Sequence, residues 1–267
     1  MLETLRQPKW IVATVGVITL AAVFVGLGIW QLERLEERRA MNELGQERMG
    51  QEAVPLQLAL EGAGGDVASL QYRKVYVTGS FDRGEEILIR SQVELGQAGF
   101  HVITPLVTDE GWAVLVNRGW VPLNMDSPPV EAPPQPGRHR VEGWLQQTQT
   151  RPALGPEDAV GELQVFNRVD IGRIGEQTPY DLAAVYVVAT GEEGDDLPVP
   201  VDPPDFTNEG AHFAYAIQWF GFAAVTLVGF YFLIRRKGRL QAGKTSLSAS
   251  FKPPQPDHRP PRSPRAR

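Results

Sequence analysis

A chain of 267 residues suggests one or two domains. Its formal net charge of −6, from 26 Lys and Arg against 32 Asp and Glu, gives no general attraction for nucleic acid, and the absence of cysteine excludes disulfides, thiolate metal sites and cysteine nucleophiles together. The hydrophobic content of 42 % is that of an ordinary soluble protein, but the average hides a segregation along the chain.

Residues 1–9 form a short tail with Arg6 and Lys9 against Glu3. From Trp10 to Trp30 there are 21 residues without Asp, Glu, Lys or Arg. At ~1.5 Å per helical residue that run measures about 31 Å, the thickness of a bilayer's hydrocarbon core. It is too long for the apolar core of a secretory signal, and it ends in Gly28-Ile29-Trp30-Gln31 rather than a small-residue cleavage site, so it reads as an uncleaved anchor over 10–30. The tail before it is too short for an Arg-rich organellar presequence, which points to a bacterial inner membrane.

Residues 31–210 carry 14 Lys and Arg against 30 Asp and Glu, a net charge of −16, and make a poor surface for nucleic acid. Leu32, Leu35, Met41 and Leu44, interleaved with charges, continue the first helix beyond the membrane; glycines predict that it frays between Gly45 and Gly50. Glu61-Gly62-Ala63-Gly64-Gly65 reads as a loop. Seven segments rich in β-branched and aromatic residues follow: Tyr72–Phe81, Glu86–Ser91, Phe100–Val107, Trp112–Arg118, Arg138–Leu145, Leu163–Val169 and Val185–Thr190. Their spacing predicts an antiparallel, barrel-like sheet, with Asp109-Glu110-Gly111 closing a hairpin. The proline-rich stretch Pro122–Pro136 excludes a regular element, Asp170–Ala184 has room for one short helix, and acidic Glu192–Asp205 is a linker.

A second uncharged run, Ala211–Ile234, is the other predicted span. Lys and Arg are missing between Arg173 and Arg235, whereas the tail 235–267 holds ten of them against Asp257 alone. The positive-inside rule then places both termini in the cytoplasm and 31–210 in the periplasm. Lys252–Arg267, with its Pro-Pro pairs, is predicted to be disordered and drawn to anionic lipid. The fold class expected is a membrane protein of α+β type: two transmembrane helices flanking an antiparallel β-rich extracytoplasmic domain.

Enzyme signatures such as Gly-x-Ser-x-Gly, His-Glu-x-x-His and a phosphate loop are missing. Of the four histidines, His258 lies in the basic tail, His139 sits between arginines at a strand edge, and His101 opens a strand, where it is either a packed residue or a general base. His212 stands at the outer end of the second span, and helical spacing puts His212, Tyr215, Ala216 and Trp219 on one face. Imidazole is an axial ligand for haem iron and aromatics can flank a porphyrin; the same residue types also populate interfacial belts. With Gly28, Trp30 and Gln31 ending the first span, all these residues share one membrane level. Small Gly26 and Gly28 admit a close neighbour, either the second helix or a cofactor.

Four strings in this order resemble a known family. Gly28-Ile29-Trp30-Gln31-Leu32-Glu33-Arg34 resembles the Gly-x-Trp-Gln-x-x-Arg signature of the surfeit-locus, or Shy-type, cytochrome c oxidase assembly proteins. Tyr72–Phe81 is similar to that family's Tyr-Arg-x-Val-x-x-x-Gly-x-Phe segment, Val114–Pro122 to its Leu-Val-x-Arg-Gly-Trp-Val-Pro block, and His212–Phe220 to its His-x-x-Tyr-Ala-x-x-Trp-Phe motif. The resemblance covers about 25–235; Glu37-Arg38 stands where relatives often place lysine, the basic tail from Lys244 is extra, and the proline-rich stretch 122–137 is of variable length among such proteins. It implies a non-catalytic assembly factor for haem–copper oxidase that binds haem a or stabilises subunit I during haem insertion, in concert with the haem a synthesis machinery. On that basis His212 is a candidate haem-iron ligand, with Tyr215, Trp219, Trp30 and Gln31 around the cofactor. Arg118, Trp120 and Arg34 are candidates for contact with a propionate or a partner carboxylate. The competing readings are a membrane-anchored periplasmic hydrolase built on His101, and a structural or sensory module.

Overall fold

A computed structural model describes residues 8–94, 96–151, 159, 161–191 and 196–250, with side chains in the last helix as far as 237. The predicted disordered segment Lys252–Arg267 lies outside the described residues. The elements are α1 (Pro8–Gly50), β1 (Val54–Pro55), α2 (Leu56–Ala63), β2 (Lys74–Phe81), β3 (Ile87–Glu94), β4 (Gln97–Val107), β5 (Ala113–Pro122), β6 (Arg138–Gln147), β7 (Val165–Phe166), α3 (Ile171–Gly175), β8 (Leu182–Ala189) and α4 (His212–Ser250). The chain divides into two compact units: 1–39 with 209–267, and 40–208.

In the first unit, α1 through Arg39 pairs with α4. Buried and half-buried positions of α1 through Arg39 include 10, 14, 17, 21, 24, 28, 31 and 35, with 13, 27 and 32 beside them, and those of α4 include 212, 216, 219, 223, 226, 230 and 234, with 220 beside them. Steps of three and four residues keep one stripe of each helix turned toward the other. Small residues let the backbones approach: Ala21 and Gly28 on one helix, Ala216 and Ala223 on the other, are all buried. A Cβ on Gly28 would stand 2.6 Å from the Phe220 ring, so this glycine makes room for an aromatic side chain. Phe24 stacks on Trp219 at 5.7 Å, and Trp10 meets Phe230 at the far end. Both helices are long and apolar enough to cross a membrane, and only 11 % of each apolar window is buried. Outward-facing Val12, Val15, Ile18, Val225, Val228 and Phe232 are the surface that lipid would cover.

In the second unit, β2, β6, β8, β5 and β4 pair in that order, and Ser80↔Val107 and Phe81↔Leu106 join β4 back to β2, closing a five-stranded barrel. Val75, Val77, Leu106, Val114, Val116, Leu145, Val185 and Val187 come from all five strands to fill one core, which Leu56 and Ala59 of α2 and Leu70 cover. A second core, on the other face of β4, β5, β6 and β8, joins Ile103, Leu115, Trp144, Tyr186 and Val188 to Phe166, Val169, Ile171 and Ile174. β5 and β8 are thus buried on both faces, and they read as continuous apolar runs, Ala113–Val116 and Val185–Val188, instead of alternating.

Four expectations need correction. The sheet is mixed: β5 runs parallel to β8, because an odd number of strands closed into a ring cannot alternate direction at every pair. α1 does not fray at Gly45 but continues to Gly50. Gly45 lies against the Phe206 ring, Asn42 and Gln46 donate to the carbonyls of Asn208 and Phe206, and Met49 packs on the second core, so docking outweighs weak propensity. The Gly-rich loop begins inside α2, which ends only at left-handed Gly64. Finally, helix α4 extends from the apolar run to Ser250, well into the basic tail.

Candidate functional site

The two ends of the helical unit that sequence spacing placed at one level do meet. His212 Nδ1 lies 2.9 Å from Gln31 Oε1, a contact between residues 181 positions apart. With Nδ1–H donating to the amide oxygen, the imidazole proton is held on Nδ1 and the lone pair is left on Nε2, the form that ligates a metal. The chain enters α4 through Gly210, whose φ is +71° and whose Cβ, if it had one, would stand 3.3 Å from His212 Cδ2 and 3.5 Å from Nε2. A glycine here therefore keeps the approach to Nε2 clear. Trp30 (47 % exposed) precedes Gln31 on α1, and Tyr215 (51 % exposed) stands three residues along α4 from His212.

Trp219 stands apart from them. It is seven residues along α4 from His212, about 10 Å at helical rise, and its ring packs on Phe24 and Phe222 in the helix seam. Arg34 stands one turn beyond Trp30, exposed, with its guanidinium 5.8 Å from the Trp30 ring centroid and 2.6 Å from Glu37. A further pair, not singled out in the sequence, lies close by in the chain: Arg39 binds Glu209 through two hydrogen bonds of 2.9 and 2.8 Å, just before His212. Each raises the charged form of the other, with the hydrogen bond as the largest cause. Its only sequence signal is an acid placed just before the second span in a segment poor in basic residues.

Arg118 and Trp120, read either as a strand end and turn or as a docking surface, are buried, which favours the first of the two. The Arg118 side chain is 8 % exposed, bonded to fully buried Glu86 at 3.0 Å and to the Ala132 carbonyl at 2.6 Å. Glu86 also accepts from Thr104 Oγ1 and from the Val130 N–H. Trp120 is 4 % exposed. Their motif holds strand β5 to its surroundings, and its charge is matched within the domain.

His101 lines a cavity of ≈ 190 Å³ on the second core's side of the barrel, with Asn117, Trp144, Gln146, Tyr186 and Asp202. Asn117 Oδ1 accepts from the Gly119 N–H, which turns its NH₂ to His101 Nδ1 at 3.1 Å. Burial pushes the imidazole down to about 4, and Tyr186 up to about 12. Among the described residues that line the cavity there is no Ser, Thr or Lys, and Asp202 supplies its carboxylate. Among the described residues, no group of three or more His, Asp and Glu side chains could hold a metal ion.

A profile of the SURF1 family matches residues 18–224, which include both halves of the Gln31–His212 contact. The chain belongs to the SURF1 family. It is 28 % identical over 261 residues to a SURF1-like protein of Monosiga brevicollis, covering 88 % of this chain and 90 % of that one. It is 26 % identical over 227 residues to a SURF1-like protein of Rickettsia felis, covering 82 % and 95 %. It is also 29 % identical over 230 residues to the surfeit locus protein 1 of Takifugu rubripes, covering 78 % and 91 %. The SURF1 family is a class of cytochrome oxidase assembly factors, and its matched span here runs from within the first apolar helix, through the barrel, to within the second.

Proposed function

We propose that this chain is a bacterial inner-membrane assembly factor for haem–copper oxidase that holds haem a at the outer ends of its two helices while subunit I is matured. The observation that carries the reading is the Gln31–His212 contact, which presents an imidazole with its free lone pair on Nε2 beside a glycine. The residues fit the group. His212 would be the axial ligand, Trp30 and Tyr215 offer open aromatic faces at the same level, and Arg34 stands one turn outward for a carboxylate of the cofactor or of the oxidase. Haem a, when bound, supplies the redox iron; the chain's own part is to present one neutral nitrogen, to exclude water with its aromatic rings, and to release its cargo to the acceptor.

The orientation belongs to the same reading. Both termini are cytoplasmic, the charge of the basic tail attracts anionic lipid, and the acidic barrel is periplasmic, on the side from which subunit I and the haem a synthesis machinery would be met. Burial lowers the basicity of His101, which makes it a weak general base for the competing hydrolytic reading.

The test is purification of the full chain from a host that makes haem a, followed by visible spectroscopy. The wild type is expected to carry haem, and His212→Ala to accumulate normally but to lose most of it. Insertion survives because the apolar run from Phe213 through Ile234 still has about 22 residues, within the ~17–25 a span requires. Full haem content in His212→Ala would remove the ligand assignment.

A further inference from the structure

Gln31 is an unusual partner for a ligand imidazole. Histidines that bind metals commonly give their second N–H to a carboxylate or a backbone carbonyl, and a carboxylate raises the basicity of the ligating nitrogen. Here the acceptor at 2.9 Å is a side-chain amide, neutral and able to present either of two faces. With oxygen toward His212 the imidazole proton sits on Nδ1 and Nε2 can ligate; with NH₂ toward it the proton moves to Nε2 and ligation is blocked. One side chain therefore decides whether the ring is competent.

Its setting holds it there. Gln31 is half-buried in the α1–α4 seam, three residues from buried Gly28 and four from buried Leu35, so its stem is fixed by packing at both neighbouring layers. His212 is the first residue of α4, and its backbone has no preceding helical turn to brace the ring. The Gln31 contact is the hydrogen bond that orients it.

We infer that Gln31 is the positioning residue of the haem site: it selects the ligating tautomer of His212, aims Nε2, and, being uncharged, keeps the ligand weak enough for the haem to be handed on. This rests on His212 as the axial ligand, and it assigns Gln31 a role in ligand strength beyond shaping a pocket. Gln31 touches the ring and not the iron, so its effect is felt through the bond the histidine makes. A carboxylate in its place would strengthen the ligand, favour the ferric state and slow release.

The experiment uses full-length protein in detergent, titrated with haemin as the probe and followed by visible absorption and by redox titration of the bound form. Gln31→Leu is expected to weaken haem binding ten- to a hundred-fold, as loss of such an outer partner typically does. Gln31→Glu is expected to bind at least as tightly as wild type, with a reduction midpoint shifted to lower potential and slower transfer of haem to apomyoglobin. A packing role would not move the potential in that direction. If both variants match wild type in affinity and midpoint, the inference fails while the haem site stands. If wild type takes up no haem that depends on His212, the haem reading itself fails. Should Gln31→Leu not accumulate, the midpoint of Gln31→Glu decides alone: a lower value supports the role, an unchanged value overturns it.

Discussion

The Glu86–Arg118 pair shows how a motif residue can be structural at its tip. An arginine sheathed by a barrel cannot shed its charge, so the fold supplies a carboxylate, a carbonyl and the flanking Phe81 ring. Glu86→Ala should destabilise the barrel by about 3–5 kcal/mol in urea unfolding, because it strands a buried cation. The double variant Glu86→Leu/Arg118→Met should recover much of that loss, since an apolar pair has no charge to desolvate. His101 makes a second residue-scale prediction. Its folded pKa of about 4 lies below the ordinary 6.5, so the unfolded chain binds the extra proton between those values. Its contribution is complete above pH 6.5 and is lost as pH falls toward 4, up to roughly 3 kcal/mol. Glu94, at 3.8 Å, is raised by burial and by Asp202 and acts with the opposite sign. The comparison that isolates His101 is therefore wild type against His101→Gln at pH 7 and pH 4.5, where the variant should lose less stability. Glu86 was not legible as the partner of Arg118: it stands 32 residues earlier, just before β3, and nothing local announces that the two converge.

At the scale of elements, what could be read was what local chemistry determines. Alternation in β2, where Val75 and Val77 face the core and Tyr76 and Thr78 do not, is a period-two signal, and Thr108–Trp112 closes the hairpin between β4 and β5 as its turn residues indicate. The parallel pairing of β5 with β8 was hidden, because strand direction across a crossover depends on packing, and a strand buried on both faces looks the same in either sense. The Leu163–Val169 segment shows the complementary limit: only Val165–Phe166 pairs, while Val169 serves the core without joining a ladder. The candidate site was more legible than the barrel. Two apolar runs of bilayer length bring their outer ends to a common level by geometry alone, so Gln31 and His212 were placed near one another before any contact was known. Missing from that reading was the hydrogen bond itself, and Trp219, which helical spacing grouped with His212, is drawn away by Phe24.

For the whole molecule, charge separates the two ends of the chain from its middle. Residues 31–210 hold 30 acids against 14 bases, while the tail from Arg235 is strongly basic. If that asymmetry orients the protein as proposed, alkaline phosphatase fused after Gly65 should be active and the same enzyme fused after Gly243 inactive; the reverse pattern would turn the molecule over. The contact between Gln31 and His212 also has a consequence in time. Its two residues are separated by 181 positions, and at ~5–20 residues per second a ribosome needs roughly 10–40 s to pass from one to the other. On the proposed reading, the first helix stands in the bilayer through that interval without its mate while the barrel between them is still being made. An unfinished chain would then lack the proposed ligand, and haem would be taken up only once α4 has been synthesised.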